Sequence, residues 1–201
     1  MWVLIMSVVA SAWAVPLPAP QTEGGMGLFE ALRKRASAPG GDFPTGRLAP
    51  EELSSVLWAA TGLNRGDKGW TVPMAMGLPP YCKIYVAKED GVFLYDWQGN
   101  GLTEISGEDI RGKVGAQNFV RAASCILIVV SDGSGLSEFQ EPERTIFAYV
   151  AAGAMTQDVY LAAASLGLGA RYIHSMKEDE IRASLSLAPG DNPLCLMLLG
   201  K

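Results

Sequence analysis

Side chains able to do chemistry are few in this chain and far apart. Histidine occurs once, at His174, between Ile173 and Ser175 at the end of an apolar run, and reads as a packed or hydrogen-bonded residue. Cys82, Cys125 and Cys195 each begin an apolar stretch (CKIYV, CILIVV, CLMLL). Their spacing fits no metal-ligand pattern, and an odd number makes no disulfide framework. They read as buried free thiols, with a single bridge as the alternative. No Ser-His-Asp set or metal cluster is present, so no catalytic residue and no metal ligand is nominated. What stands out instead is a basic helix end, Arg33-Lys34-Arg35, followed by Ser37. Two further segments are marked by glycine or proline: Thr71-Val72-Pro73-Met74-Ala75-Met76-Gly77, which reads as a loop, and Gly167-Leu168-Gly169, which reads as a helix stop where glycine also permits close backbone approach.

The elements that position these segments alternate between helix and strand. Residues 28–35 are apolar on one face and basic at the C-terminal end, a short helix that Pro39-Gly40-Gly41 must end. Pro50-Glu51-Glu52 opens a second helix, with Pro in the first turn and acids favoured by the helix dipole. Leu53, Val56, Leu57 and Ala60 form its buried stripe. Residues 83–88 and 92–97 flank Glu89-Asp90-Gly91 as a hairpin, and 102–105 adds a short edge strand. Residues 107–123 read as a helix interrupted at Gly112 and Gly115, and 125–131 as a buried strand. A Gly/Ser-rich loop, 132–142, leads to the longest helix, 144–166, which is alanine-rich and apolar nearly all round. Such a helix must be covered from several sides, and a homodimer interface is a natural cover. Strands at 171–174 and 194–199 enclose a charged helix at 177–185. The pattern predicts an α+β fold, a three-layer sandwich with a mostly antiparallel central sheet flanked by helices.

Composition sets the remaining bounds. A length of 201 residues with 49% hydrophobic and 18% charged residues suggests one domain with a real core. A net charge of -5 argues against a nucleic-acid partner, which would need a basic face. The first fourteen residues, MWVLIMSVVASAWA, carry no charged side chain and run into a Pro-rich break. They read as a signal peptide cleaved after Ala14, so the chain is expected to be exported, to the periplasm or beyond, with no stable membrane span after cleavage. Residues 15–25 read as a flexible lead-in, and 26–201 as the folded domain.

The stretches LSSVLWAATGLNRGDKGWTVP (53–73) and AAGAMTQDVYLAAASLGLG (151–169) together resemble the nitroreductase family, particularly its SagB-type branch, over about residues 28–201. The resemblance implies FMN as cofactor and an oxidoreductase that moves electrons through flavin N5 to a planar acceptor, a quinone or nitroaromatic. It implies a homodimer with the flavin at the interface and an electron donor the sequence does not identify. By the same resemblance Arg35 and Ser37 hold the FMN phosphate, with Lys201 completing that site, and Pro73, Met74 and Ala75 lie against the flavin ring. The Gly167-Leu168-Gly169 turn would bring a backbone N–H to N5. The chain departs from the pattern at Pro39, where a second basic residue is usual, at Met74 in place of Ser, and at Gly77 in place of Asn. Those departures leave open a non-catalytic binding protein of the same fold that has lost tight FMN binding.

Overall fold

The computed structural model describes residues 14–66 and 69–201. Its first half contains β1 (Val15–Pro16), α1 (Leu28–Lys34), α2 (Pro50–Thr61), β2 (Cys82–Lys88), β3 (Gly91–Asp96) and β4 (Gly101–Ser106). Its second half contains α3 (Arg111–Val114), β5 (Cys125–Ser131), α4 (Glu143–Leu166), β6 (Gly169–Ile173), α5 (Glu178–Leu185) and β7 (Asn192–Gly200). The seven strands form one antiparallel sheet in the order β1-β4-β3-β2-β5-β7-β6. This is the α+β sandwich read from the sequence.

Both faces of the sheet centre are covered, and the side chains divide with a period of two. Cys125, Leu127 and Val129 of β5 join Cys82, Ile84, Cys195 and Met197 beneath α2 and α4. Ile126, Ile128 and Val130 point the other way, into a core shared with Val114 of α3 and Ile181 of α5. Double burial explains why β5 reads as an unbroken apolar run although its neighbours are antiparallel. All three cysteines are buried free thiols, and burial pushes each up to about 12.

Three local features differ from the sequence reading. Gly112 does not interrupt a helix: the helical turn begins only at Arg111, contains Gly112, and ends at Gly115. His174 is exposed rather than packed. The flexible lead-in is laid onto the domain instead. Val15 pairs with Leu102, Leu17 N–H donates to Asn100 O, and Ser54 Oγ donates to Pro18 O at 2.6 Å. The apolar segment read as a signal peptide lies outside the described residues except for Ala14. Among the described residues no helix is long and apolar enough to cross a membrane.

Helix α4 organises the functional half of the molecule. It buries Ala148, Ala151, Ala152, Met155, Val159 and Ala163 on the α2 and sheet side. It stops at Gly167, which adopts the left-handed conformation (φ 71°) while Leu168 N–H closes onto Ala163 O at 2.8 Å. Cover from several sides is not found in the single chain: Ile146, Tyr149 and Val150 stand 53%, 45% and 64% exposed.

Candidate functional site

At the C-terminal end of α4, four segments meet. The chain leaves α1 at Arg35, whose guanidinium carbon lies 5.2 Å from the centre of the Tyr160 ring. Ser37 Oγ is 2.7 Å from Tyr160 Oη, which also accepts the Tyr172 N–H at 2.7 Å. Tyr160 is thereby free to turn its own proton toward Ser37, leaving the serine hydrogen for an outside acceptor. The cleft beside them has a volume of about 210 Å³, with Lys34, Ser37 and Pro39 on its rim and Ala163, Gly169 and Ala170 below. Small residues keep that floor low. Arg33 and Lys34 both face Glu30, whereas no carboxylate among the described residues is in ion-pair range of Arg35. Ser37 lines the cleft, while the Arg35 guanidinium rests on the Tyr160 ring beside it, and both are groups that can donate to an anion.

The next residues run along the ends of β6 and β7. Ala38 N–H donates to Ala170 O at 2.9 Å, and Arg171 Nη1 donates to Ala38 O at 2.7 Å. Pro44 then packs so closely that a Cβ on Gly169 would meet its Cγ at 2.5 Å, and one on Gly200 its carbonyl oxygen at 1.8 Å. Glycine at 169 is therefore demanded by the fold itself. The amides of Gly167 and Leu168 are engaged in the helix cap, with Ala164 O and Ala163 O. The turn's visible work is to stop α4 and let Pro44 approach.

Lys201 lies one residue beyond Gly200, the strand partner of Gly169. Its backbone exchanges two 2.9 Å hydrogen bonds with Gly46. Its ammonium, however, is turned to Glu52 Oε1 at 2.6 Å, and Glu52 also accepts the Ala49 N–H that opens α2. The Lys201 contact, followed by that N–H, holds the Glu52 carboxyl below its ordinary range. The structure thus gives Lys201 a carboxylate partner rather than an open position beside Ser37.

Pro73, Met74 and Ala75 lie near the other end of α4. Ala75 N–H donates to Tyr81 Oη at 3.1 Å, and Tyr81 donates in turn to Phe147 O at 3.3 Å. Met74 is buried in the core, whereas Met76 (83% exposed, φ 54°) projects into solvent. Between Phe147 and Tyr160 the helix rises about 20 Å. Within one chain, the cleft beside Ser37 and the Pro73–Ala75 segment therefore lie near opposite ends of α4. Trp70, beside Pro73, packs edge-on to Trp97 with ring centres 6.0 Å apart.

Tyr160 was not foreseen in the sequence. Its only signal there is a polar-tipped ring in an alanine-rich helix. No group of three or more metal-ligating side chains occurs among the described residues.

A seven-stranded antiparallel sheet covered by helices on both faces defines an α+β sandwich of a recognisable kind. The chain belongs to the nitroreductase family, whose sequence model matches residues 42–201. It is 30% identical over 186 residues to a Methanocaldococcus jannaschii protein that carries the nitroreductase name, a match spanning 87% of this chain and 90% of that one. Among solved structures, a nitroreductase-named protein of Ralstonia eutropha superposes with a TM-score of 0.87 at 31% identity, covering 96% of this chain and 91% of the other. The NADPH:FMN oxidoreductase of Vibrio harveyi, solved in complex with NAD+, shares the fold (TM-score 0.63, 19% identity, covering 86% of this chain and 67% of that one). Membership of this family supports an oxidoreductase activity.

Proposed function

We propose that this protein is an FMN-dependent oxidoreductase that works as a homodimer, each flavin shared between two chains. The observation that carries this reading is the separation of the half-sites by about 20 Å of helix. The two segments sit near opposite ends of α4 in one chain, and a two-fold partner with α4 reversed would bring its Pro73–Ala75 segment to the first chain's cleft. Arg35 and Ser37 would hold the phosphate, with Tyr160 orienting Ser37. Gly169 and Ala170 would floor the cleft, and Pro73 and Ala75 of the second copy would border the ring.

The apolar surface for such pairing is present. Leu28, Phe29 and Leu32 of α1 and Ile146, Tyr149 and Val150 of α4 are exposed together with Met76. Exposed large apolar side chains on these two helices support pairing through them.

Bound flavin supplies two-electron chemistry, and the acceptor that suits it is planar, a quinone or nitroaromatic. This chain's own residues would position the flavin, and among the described residues no acid–base pair borders either segment. The electron donor differs with compartment. The cofactors in the Vibrio neighbour's description make a nicotinamide nucleotide the first donor to screen, while an exported protein would draw on a quinol.

A second reading, a binding protein of this fold with weakened FMN affinity, is favoured by the uncharged Pro39 and by the Lys201–Glu52 ion pair. Titration of the purified protein with FMN, followed by its visible spectrum, separates the two. The oxidoreductase reading predicts micromolar uptake at one flavin per chain, worth about 8 kcal/mol, weakened at least tenfold in Arg35→Ala. No uptake at millimolar FMN would leave the binding-protein reading.

A further inference from the structure

A second cleft lies on the α2–α4 surface, apart from both half-sites of the proposed flavin. The chain between β1 and α1 crosses these two helices as a strap pinned at both ends. Gln21 N–H donates to Ser55 Oγ on α2 at 2.9 Å, and Met26 N–H donates to Ser165 Oγ on α4 at 2.9 Å. Between the pins, Gly24 and Gly25 take positive φ values of 72° and 77°. A Cβ on Gly25 would come within 2.8 Å of Ser165 Oγ, so glycine is required for the strap to sit down.

Beneath the strap is a cleft of about 310 Å³, the size of a small aromatic ligand's site. Its walls are mainly apolar, with Trp58 and Ala59 from α2 and Leu161 and Ala162 from α4. The Trp58 indole N–H is already donated to Leu63 O at 2.7 Å, which fixes the ring. The Ser55 hydroxyl is likewise engaged, donating to Glu51 O.

Asp158 opens into this cleft from α4. It has neither hydrogen-bond nor ion-pair partner among the described residues, and burial alone pushes its carboxyl up to about 6. Among the described lining residues Glu23 of the strap is the other acid, and none is Lys, Arg or His. The α2 wall and Thr71 contribute no titrating group. A carboxylate held half-buried among apolar walls without a partner is costly unless something cationic joins it.

We infer that this strapped cleft is a second ligand site, built for a small organic cation. An ammonium or amidinium group would sit on Asp158, and its aromatic or alkyl body would lie against Trp58, Leu161 and Ala162. Trp58 adds the attraction of a ring face for a cation. The site needs no flavin, and nothing in it depends on the proposed redox role.

The test is calorimetric titration of the full chain with benzamidine, with neutral benzamide as the isostere. Benzamidine binds at pH 7.5 and about tenfold more weakly at pH 5, where an acid titrating near 6 is mostly protonated. Benzamide binds at least tenfold more weakly at either pH. Asp158→Asn removes the preference for the amidine and its pH dependence, while FMN uptake stays at the wild-type level. Ala162→Trp fills the cleft and abolishes binding with Asp158 intact. Equal affinity for benzamidine and benzamide, unchanged benzamidine binding in Asp158→Asn, or no binding at millimolar benzamidine would overturn the proposal. A fall in melting temperature of Asp158→Asn at pH 7.5 would also overturn it, because it would show that the carboxylate already has a structural partner.

Discussion

The two ends of α4 are built on opposite plans. At the C-terminal end, polar groups are held ready: Ser37 is oriented by Tyr160, and Arg35 rests on the same ring. At the N-terminal end, the polar groups are spent: Ala75 N–H is tied to Tyr81, and Tyr81 to Phe147 O. One end offers hydrogen bonds to a ligand; the other presents a firmly seated loop surface. A cofactor with an anionic tail and a planar head needs both, and the helix length keeps them apart. On the function proposed above, the difference makes the single chain half of a functional unit, with closure supplied by a second copy.

The sharpest way to break the comparison is to keep the chains apart. Val150 is 64% exposed on the apolar side of α4. Val150→Asp is expected to give a monomer by gel filtration and light scattering and to abolish FMN uptake, with chain stability changed by only about 0.5 kcal/mol, as for an ordinary surface substitution. A stable monomer that still takes up flavin would show that one chain suffices.

Smaller effects come from the two tyrosines that define the ends. Tyr160→Phe removes the group that orients Ser37 and leaves the Tyr172 N–H without its acceptor. The expected outcome is about 1–2 kcal/mol of lost stability with FMN affinity reduced about tenfold. Tyr81→Phe frees the Ala75 loop instead. It should alter turnover with a planar acceptor more than FMN affinity, read as a split between kcat and Kd.

The smallest expected effect concerns pH. Asp158 titrates near 6 in the folded chain, above its ordinary 3.8, because burial disfavours its charge. Between these values the folded state holds more protons than the unfolded one, so this group's contribution falls as pH rises from about 4 to 6. Glu52, Asp109 and Asp132 act in the opposite sense, since each is held below its ordinary value and loses stability as pH falls. Asp158→Asn should therefore gain on the wild type as pH is raised from 4 to 7, by about 1 kcal/mol for a half-exposed carboxylate. Paired urea melts across that range provide the measurement.

Much of the fold was legible because its signals are local. Pro50-Glu51-Glu52 marks the start of α2, Glu89-Asp90-Gly91 sits at the turn of the β2–β3 hairpin, and the β-branched run at 125–131 is the doubly covered strand β5. The site was legible only in its parts. Arg35, Ser37 and Gly169 do gather at one end of α4, but Tyr160, which organises them, is 123 residues from Ser37 in sequence. The turn of Lys201 toward Glu52 depends on a contact across 149 residues, and no neighbouring residue announces it. The seating of residues 15–25 rests likewise on Ser54, Ser55 and Asn100, partners their own Pro-rich composition does not reveal. The resemblance places Met74 against the flavin ring, whereas in the single chain its side chain is buried in the core.

The most direct test of the account is complementation between two disabled chains. Ser37→Glu places a charge where the phosphate should bind, and Ala75→Glu disrupts the loop that the partner should supply. Each variant alone should bind no FMN. Mixed in equal amounts and allowed to exchange, half of the dimers become heterodimers with one intact site each, so about a quarter of all sites should recover FMN. Recovery near that level, lost again when Val150→Asp is added to both chains, is the result predicted here. Full binding by either variant alone, or no recovery from a mixture shown to contain heterodimers, would contradict a flavin site shared between two chains.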